Sequence, residues 1–417
     1  MRVVLFALTG FGNEALKTLV KSKHQVELLV TRKENGVFPY YKEENIVKLA
    51  ERLGVPYTFA KPQEIAEKIK EINPELILVT TYHRIIPATV FNLARFAINI
   101  HPSLLPKYKG ATPTAWALLN VEKFTGLTAH FLSECIGGGV IILQKKIKIG
   151  KLETDGHLRK RLTLLLKVLI PKLTKTILTG KFNIAIQNIL EENYFPKISE
   201  KIGVLELEDP NFINSYRALT PYPGAFLERD NHFFLVIKVS DKKFRGADYH
   251  TKNAEGNFFL KLKPVLETNE VRTANLKQEH FYLRQYVELR NFHKDVLLTG
   301  EVSLQETEKW LVQNNNVEII GLVVRGLLLG AVILYRNKNN EVTIFTRKYV
   351  SGSGKLLLDA IVRVAKKKKF TKVWVWVLSG NKVAYNFFTK HGFKDRGIVK
   401  RVFHDKNYLG NVLEKLI

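Results

Sequence analysis

The chain has 417 residues, 46% of them hydrophobic and 25% charged, a composition that indicates a globular protein and a length that predicts two or three domains. It contains no apolar run of about 20 residues, the length of a membrane-spanning helix, and no signal-peptide pattern, so we expect a cytoplasmic protein without a membrane span. One cysteine excludes an internal disulfide, the lack of a Cys/His cluster predicts no metal, and the net charge of +26 is spread along the chain.

The first 200 residues alternate between strand and helix patterns. A strand is predicted over Arg2–Leu8, then a Gly-Phe-Gly turn at residues 10–12 and a helix from Asn13 to Lys21. This alternation is typical of an α/β fold with a parallel sheet covered by helices. The turn lacks the third glycine and the downstream acid of a dinucleotide-binding motif, so we interpret it as a structural turn, with a cofactor loop as the alternative.

Two further strands are predicted at Leu76–Thr80 and Phe96–Ile100. Ligands of open α/β sheets bind beyond the carboxyl ends of the strands, and Asn99 and His101 stand at that end of the second strand. A carboxamide and an imidazole can stabilise the oxyanion that develops during acyl transfer. The alternative is that both are ordinary polar residues at the end of a strand.

The segment that continues from Asn99 to Asn120 reads Asn-Ile-His-Pro-Ser-Leu-Leu-Pro and then Lys-Tyr-Lys-Gly-Ala-Thr-Pro. It resembles the folate-dependent formyltransferases, a family that includes methionyl-tRNA formyltransferase and the N-formyltransferases of nucleotide-linked amino sugars. The resemblance implies a Rossmann-like domain, N10-formyltetrahydrofolate as the formyl donor, and catalytic roles for Asn99 and His101. It also implies a folate-binding loop and substrate contacts, at positions that are surface residues in the alternative interpretation. The loop residues are Tyr82, Arg84, Ile85 and Ile86, and the substrate residues are Lys107, Tyr108 and Lys109.

The family's third catalytic residue is an Asp in a segment of the form acid-x-Gly-Ile-Asp-Thr-Gly, followed by apolar residues and Gln. Aligning Ile136, Gly139 and Gln144 with that segment places Gly137 at the position of the Asp. Glycine cannot carry a proton or orient an imidazole, so formyl transfer is expected to be slowed by orders of magnitude. Glu134 could compensate in principle, but its position three residues away argues against it.

Short alternating runs separated by Asp, Asn and Gly predict small strands over residues 203–268. The sequence from Tyr216 to Phe226 resembles the junction at which formyltransferases enter their C-terminal β-domain. The resemblance implies a formyltransferase catalytic domain over residues 1–202 and a small β-barrel-like, OB-like domain over residues 203–268. The prolines of the junction are interpreted as a rigid corner without chemistry.

From about residue 269 to residue 417 the pattern changes again. The segments Arg272–Asn275, Leu289–Phe292 and Ser303–Trp310 resemble the start of a GNAT-superfamily acetyltransferase, especially those that acetylate amino sugars. Two hairpins, a glycine turn into a helix, a strand at Trp374–Leu378 and the segment Asn381–Phe393 agree with that resemblance. It implies a third, C-terminal α/β domain that uses acetyl-coenzyme A.

The GNAT pattern of Arg or Gln, two variable residues, Gly, any residue and Gly is matched from Tyr349 onward, with Tyr349 replacing Arg or Gln. The resemblance assigns coenzyme A binding to four residues, namely Gly352, Gly354, Lys355 and Asn381; a plain helix cap is the alternative. The family's acid, a tyrosine, is replaced by Phe388. Tyr385, three residues earlier on the same helix, is a weak candidate for the acid and is otherwise a core residue.

Three functions remain after the sequence analysis. The first is a bifunctional acyltransferase of nucleotide-linked amino sugars, of the kind used in surface-glycan pathways such as that of pseudaminic acid, with a homodimer as a possible assembly. Methionyl-tRNA formylation is the second, since the basic charge suits a tRNA partner. The third is a ligand-binding pseudoenzyme, since the family's Asp is missing.

Overall fold

The computed structural model describes residues 1–33, 44–187, 194–198, 203–230, 232–253 and 256–417. They form two compact units, one of Met1–Ala225 with Lys252–Asn257 and the other of Phe226–Thr251 with Phe258–Ile417. Residue 202, where the first predicted domain ends, lies outside the described residues. Within those ranges, no helix has the length and apolar character that crossing a membrane requires.

The first unit is an α/β structure, as the alternation of patterns predicts. Its strands are β1 Arg2–Ala7, β2 Gln25–Val30, β3 Tyr57–Thr58, β4 Leu76–Thr80, β5 Phe96–His101, β6 Lys109–Gly110, β7 Phe124–Phe131, β8 Ile141–Lys148, β9 Tyr194–Phe195 and β10 Val204–Leu205. Its helices are α1 Phe11–Lys21, α2 Ile46–Arg52, α3 Ala66–Ile72, α4 Ala88–Phe91, α5 Pro113–Leu119, α6 Asp155–Thr179 and α7 Phe212–Leu219. The predicted α/β fold is confirmed.

The main sheet of this unit has the order β3-β2-β1-β4-β5-β7-β8. The strands from β3 to β5 pair in parallel, whereas β7 and β8 pair antiparallel to their neighbours. The sequence predicts only the parallel part. The connection from β5 to β7 contains one short helix, α5, and β7 runs antiparallel to β5.

The glycine turn between β1 and α1 has a structural reason. A Cβ at Gly12 would lie 2.7 Å from Cβ of Ala7 and 2.7 Å from Cδ1 of Ile46, closer than real Cβ contacts allow. The side chain of Asn13 accepts a hydrogen bond from the backbone N–H of Gly10 at 2.9 Å, so the start of α1 is capped from within the chain. These contacts support the interpretation as a structural turn.

The second unit begins with β11 Phe226–Arg229, β12 His232–Ser240, β13 Tyr249–Asn253 and β14 Gly256–Pro264, apart from the ends of β13 and β14 at Lys252–Asn257. These strands lie side by side in the order β11-β12-β14-β13. The first and last of them do not pair with each other, so among the described residues this sheet is open, in contrast to the barrel-like shape that the sequence predicts.

The rest of the unit is a second mixed structure. Its strands are β15 Val271–Asn275, β16 Val317–Val324, β17 Leu327–Tyr335, β18 Glu341–Thr346, β19 Lys372–Leu378, β20 Lys394–Phe403 and β21 Lys406–Leu416. Its helices are α8 Leu283–Phe292, α9 Lys294–Leu297, α10 Leu304–Gln313, α11 Ser353–Lys367 and α12 Lys382–Lys390. The sheet order is β15-β16-β17-β18-β19-β21-β20, and α8 and α11 pack on its central strands. Both predicted hairpins, β16-β17 and β17-β18, are present.

Candidate functional site

The candidate formyl-transfer site lies on one face of the antiparallel pair β5-β7. Asn99 and His101 are two residues apart on β5 and so share a face of the sheet. In the register of the two strands, Asn99 is opposite His130 and His101 is opposite Thr128. The structure therefore places a second histidine, His130, beside the two predicted residues.

Hydrogen bonds assign the protons of both imidazoles. Nδ1 of His130 lies 2.8 Å from the carbonyl oxygen of Phe131, which can only accept, so this nitrogen carries the proton. Nε2 of the neutral ring is then an acceptor, and the amide of Asn99 donates to it at 3.1 Å. His101 donates from Nε2 to the carbonyl oxygen of Tyr108 at 2.8 Å. One N–H of the Asn99 amide and the Nδ1 lone pair of His101 remain for a substrate.

The electrostatics of the site keep both histidines neutral. Burial, and then the positive charge of Lys109, lower the pKa of His101 to about 4. Burial, together with the neighbouring His101 and Lys109, lowers the pKa of His130 to about 4. Lys109 is itself 2% exposed, although lysines are rarely buried. A neutral imidazole of such low basicity is a poor proton acceptor at pH 7.

Gly137 lies against Lys109. An ideal Cβ at this glycine would be 3.3 Å from Cγ and 3.5 Å from Cδ of the lysine stem. The backbone of Gly137 has φ +71°, a conformation that glycine adopts readily and that Asp and Asn tolerate better than other side chains. Gln187 donates hydrogen bonds to the carbonyl oxygens of Gly137 and Gly139 at 2.8 and 2.6 Å, which holds this loop in place.

Lys107 and Tyr108, two of the predicted substrate residues, both contact Glu122. The ammonium of Lys107 lies 2.9 Å from Oε1 of Glu122, and the hydroxyl of Tyr108 donates to the same oxygen at 3.0 Å. Tyr108 is buried, and this burial is the main cause that raises its pKa to about 12. Of the three predicted residues, the structure brings only Lys109 to the histidines through its side chain.

The predicted folate loop follows β4. Ile86 is buried in the core, whereas Ile85 is 70% exposed and Arg84 is exposed. The hydroxyl of Tyr82 is buried and makes no hydrogen bond within the described residues, although the nearby Arg84 guanidinium favours its ionised form. Burial raises the pKa of this phenol. A buried polar atom without a partner fits a loop that hydrogen-bonds a ligand such as the pterin of folate.

The candidate acetyl-transfer site is in the second unit, where β18 and β19 separate. These parallel strands share a single paired position, Glu341 with Trp374, and diverge beyond it. After β18 the chain turns into α11 through Gly352, whose φ is +93°. The first turn of a helix leaves backbone N–H groups without helical acceptors, and such groups bind phosphates. This geometry fits the pyrophosphate of coenzyme A.

Individual side chains of the coenzyme A motif are engaged with the protein. The ammonium of Lys355 lies 2.9 Å from Oδ2 of Asp359 on the exposed face of α11. A Cβ at Gly354 would be 3.3 Å from the Phe387 ring, so a larger residue would press against α12. Asn381 caps α12, since its side-chain oxygen accepts from the backbone N–H of Ala384 at 3.1 Å.

Neither Tyr385 nor Phe388 has all the features expected of the family's acid: Phe388 has the position, and Tyr385 has the hydroxyl. Phe388 is buried and packs against Phe393 with ring centroids 5.1 Å apart, so this position has no proton to give. Tyr385 is half-buried rather than a core residue, and its hydroxyl donates to Oδ2 of Asp395 at 3.0 Å. That hydrogen bond raises the pKa of the phenol.

His130 is the residue that sequence reasoning did not identify. Its signal was the alternation of β7, in which Thr128 and His130 interrupt apolar neighbours with period two, but its pairing with Asn99 depends on a register that the sequence does not show. Across the described ranges, no group of three or more His, Cys, Asp or Glu side chains could hold a metal ion.

Two family models match the chain. The formyl transferase model matches residues 1–173, and the acetyltransferase (GNAT) family model matches residues 299–393. The match of the first model covers Asn99, His101, His130 and Gly137, and that of the second covers the start of α11 and all of α12.

The similarity to curated relatives covers more of the chain than the formyl transferase model does. Methionyl-tRNA formyltransferase of Caldanaerobacter subterraneus subsp. tengcongensis is 28% identical over 314 residues, which cover 72% of this chain and 100% of the relative. The same enzyme of Syntrophomonas wolfei subsp. wolfei is 30% identical over 291 residues, 67% of this chain and 93% of the relative. That of Kosmotoga olearia is 32% identical over 233 residues, 54% of this chain and 75% of the relative.

Solved structures with similarity to the chain include a sugar 3N-formyl transferase determined in the presence of dTDP and 5-N-formyl-THF, at 17% identity and TM-score 0.49, which covers 63% of this chain and 97% of that one. A 4-N formyltransferase from Francisella tularensis has 19% identity and TM-score 0.46, and covers 56% of this chain and 96% of that one. From the family models and the identity to the curated relatives, the chain belongs to the formyl transferase family and carries a GNAT acetyltransferase domain at its C-terminus.

Proposed function

We propose that this transferase acylates amines of nucleotide-linked amino sugars, with acetyl transfer in the C-terminal domain as the faster activity and formyl transfer in the N-terminal domain as the slower one. The observation that carries the proposal is the presence of two amine-acylating domains in one chain. A fusion of this kind serves related acceptors, and an amino sugar of a surface glycan offers amines for both acyl groups. Both donors are cytoplasmic metabolites, so we place the reaction in the cytoplasm.

The division of activity follows from the two sites. In the N-terminal domain, N10-formyltetrahydrofolate would supply the formyl group beside Tyr82 and Ile86. One N–H of Asn99 can donate to the developing oxyanion, but the proton of the attacking amine has no acid-base partner, because Gly137 provides no carboxylate and His101 has a pKa of about 4.

In the C-terminal domain, acetyl-coenzyme A would supply the acetyl group at the opening between β18 and β19. Binding rests on backbone N–H groups at the start of α11, beside Gly352 and Gly354, which remain available although Tyr349 replaces the motif's Arg or Gln. Phe388 replaces the family's tyrosine, which protonates the leaving thiolate. Water can supply that proton instead. We therefore expect the acetyl transfer to be the less impaired reaction.

The domain limits are part of the proposal: formyltransferase over residues 1–202, a small β-domain over residues 203–268 and GNAT over residues 269–417. The experiment is to incubate the purified chain with N10-formyltetrahydrofolate, acetyl-coenzyme A and a panel of UDP- and dTDP-4-amino sugars, with mass spectrometry of the products. An acetylated sugar is the expected main product, with a trace of formylated sugar. Neither acyl product would defeat the proposal, and tight folate or nucleotide-sugar binding without turnover would favour a pseudoenzyme.

Methionyl-tRNA formylation is the second candidate, since the curated relatives with 28–32% identity carry that name and the net charge is +26. It predicts binding of initiator methionyl-tRNA with an affinity that falls steeply as salt rises. Filter binding at moderate salt, followed by formylation of the charged tRNA, separates the two candidates. Tight binding and formylation of the tRNA, with no product from any sugar, would favour this second function.

A further inference from the structure

A histidine lies at the edge of the candidate acetyl-transfer site. His293 follows the end of α8, and its Nε2 lies 2.8 Å from the carbonyl oxygen of Thr346, the last residue of β18. That end of β18 is the one that has diverged from β19, since the two strands pair only at Glu341 and Trp374. His293 is therefore anchored at the edge of the opening between the two strands.

The anchoring hydrogen bond also decides which nitrogen can accept a proton. A carbonyl oxygen only accepts, so Nε2 of His293 is the protonated nitrogen, and Nδ1 carries the lone pair of the neutral ring. Ring contacts hold the imidazole, with centroids 5.1 Å from Phe292 and 6.1 Å from Phe345. The side chain is partly buried, so it has a fixed position without being closed off from a ligand.

Most other charged groups on the surrounding elements interact with partners other than His293. Glu288, on the exposed side of α8, interacts electrostatically with the guanidinium of Arg347. That guanidinium donates to the carbonyl oxygen of Leu328 at 2.8 Å. Lys294 is paired with Glu301 at 2.6 Å. Arg290, also on α8, donates to the carbonyl oxygen of Gly300 at 3.1 Å. Glu288 on α8 and Asp295 on α9 are thus rival bases on these elements, whereas Glu341 on β18 is paired with Arg401 at 2.7 Å.

We propose that His293 is the general base of acetyl transfer, an inference that rests on the acetyltransferase activity proposed above. Nδ1 of His293 takes a proton from the ammonium of the acceptor, and the resulting amine nitrogen forms a bond with the carbonyl carbon of the acetyl group. The bond between that carbon and sulfur breaks, its electron pair leaves on coenzyme A as the thiolate, and the nitrogen loses its second proton to water as the amide forms. Water protonates the thiolate, and His293 returns its proton to water, so no other reactant is needed.

His293→Gln tests the proposal, because a glutamine amide can still donate to Thr346. We expect kcat/KM for acetyl transfer at pH 7 to fall on the order of a hundredfold, with the KM for acetyl-coenzyme A unchanged. The acid limb of the pH profile of kcat/KM should disappear in the variant. His280→Gln is the matched control, since His280 also lies 2.9 Å from a backbone carbonyl oxygen through Nε2, that of Lys277, and should leave the rate unchanged.

Further variants keep the proposal falsifiable. If His293→Gln fails to fold, His293→Ala with added imidazole should recover at least a tenth of the wild-type rate; no recovery in a folded variant would contradict the role. A wild-type pH profile in His293→Gln, or its loss in Glu288→Gln or Asp295→Asn instead, would overturn the inference while leaving the acetyltransferase proposal intact. No acetyl transfer by the wild-type chain to any amine of the panel would overturn the proposed function, and the inference with it.

Discussion

The resemblance to the two families implies that each candidate site lacks one proton-handling residue, and the two sites are of different kinds. In the first unit the candidate catalytic groups are side chains on β5 and β7, and with glycine at position 137 two histidines stand beside Lys109 without a carboxylate from that position. In the second unit the proposed donor site is formed by the backbone at the start of α11, and the resemblance implies that Phe388 replaces only an acid. A site built from backbone groups tolerates such a loss better than one built from cooperating side chains.

The largest effect that would test this comparison is expected from Gly137→Asp. Asp tolerates the φ of +71°, and its Cβ requires the flexible Lys109 stem to move by a few tenths of an ångström. The new carboxylate would lie beside the Lys109 stem and could take the proton of the amine. We expect formyl transfer to rise on the order of a hundredfold, measured by incorporation of the labelled formyl group of N10-formyltetrahydrofolate into the product.

Gly137→Asn is the matched control, since it has the same shape and φ tolerance but no charge, and should give no gain. A rate for Gly137→Asp equal to that of the wild type, with folate binding retained, would show that the first unit lacks more than one group. The N-terminal domain would then be a binding module, as in the pseudoenzyme alternative.

The second prediction concerns the stability of the first unit at acidic pH. His101 and His130 have pKa values of about 4 in the folded chain and about 6.5 when unfolded, so between these values the unfolded state binds more protons. The first unit should therefore keep its full stability above about pH 6.5 and lose a few kcal/mol as the pH falls toward 4. Hydrogen exchange of amides in β5 and β7, compared between pH 7 and pH 5, would measure this.

A double variant His101→Gln and His130→Gln provides the control for that experiment. It should be less stable at pH 7 but should lose much of the dependence on pH between 6.5 and 4. If the wild-type first unit is as protected at pH 5 as at pH 7, the two imidazoles are not buried in the neutral form, and the electrostatic part of the comparison fails.

The third prediction tests the backbone-built site. Gly352→Val forces a β-branched residue into φ +93° at the start of α11, and its Cβ would come within 3.3 Å of Leu266. Such strain costs about 1–3 kcal/mol, and it displaces the N–H groups that would bind the pyrophosphate. We expect the KM for acetyl-coenzyme A to rise on the order of tenfold, since 1.4 kcal/mol, within this range, corresponds to a factor of ten.

Gly397→Val is the matched control for Gly352→Val. Gly397 also has a positive φ, of +107°, but no atom lies within 4 Å of an added Cβ, and the residue is on β20 rather than at the helix start. It should lower the thermal stability without changing the KM. Equal KM values for the two variants would remove the start of α11 as the coenzyme A site.

The sequence predicted the parts of this structure that depend on local pattern. The strand at Leu76–Thr80 has the predicted bounds, and Asn99 and His101 lie at the end of a strand, because apolar runs and polar interruptions are written directly in the chain. The pairing of Asn99 with His130 joins positions 31 residues apart through an antiparallel register. Such pairings, and the burial of Lys109 against Gly137, depend on tertiary packing and could not be predicted from pattern alone.

The smallest effect is expected from Tyr385→Phe. The Tyr385 hydroxyl is already committed to Asp395, which also accepts from the backbone N–H of Gly397 and from Asn411. Removing it should change kcat for acetyl transfer by less than threefold and lower the melting temperature slightly.

Phe388→Tyr is the reciprocal variant, and a phenol there should raise kcat by less than tenfold, since water already protonates the thiolate in the proposed mechanism. A fall of more than tenfold in kcat for Tyr385→Phe would identify Tyr385 as the acid, and the second unit would then depend on a side chain as strongly as the first.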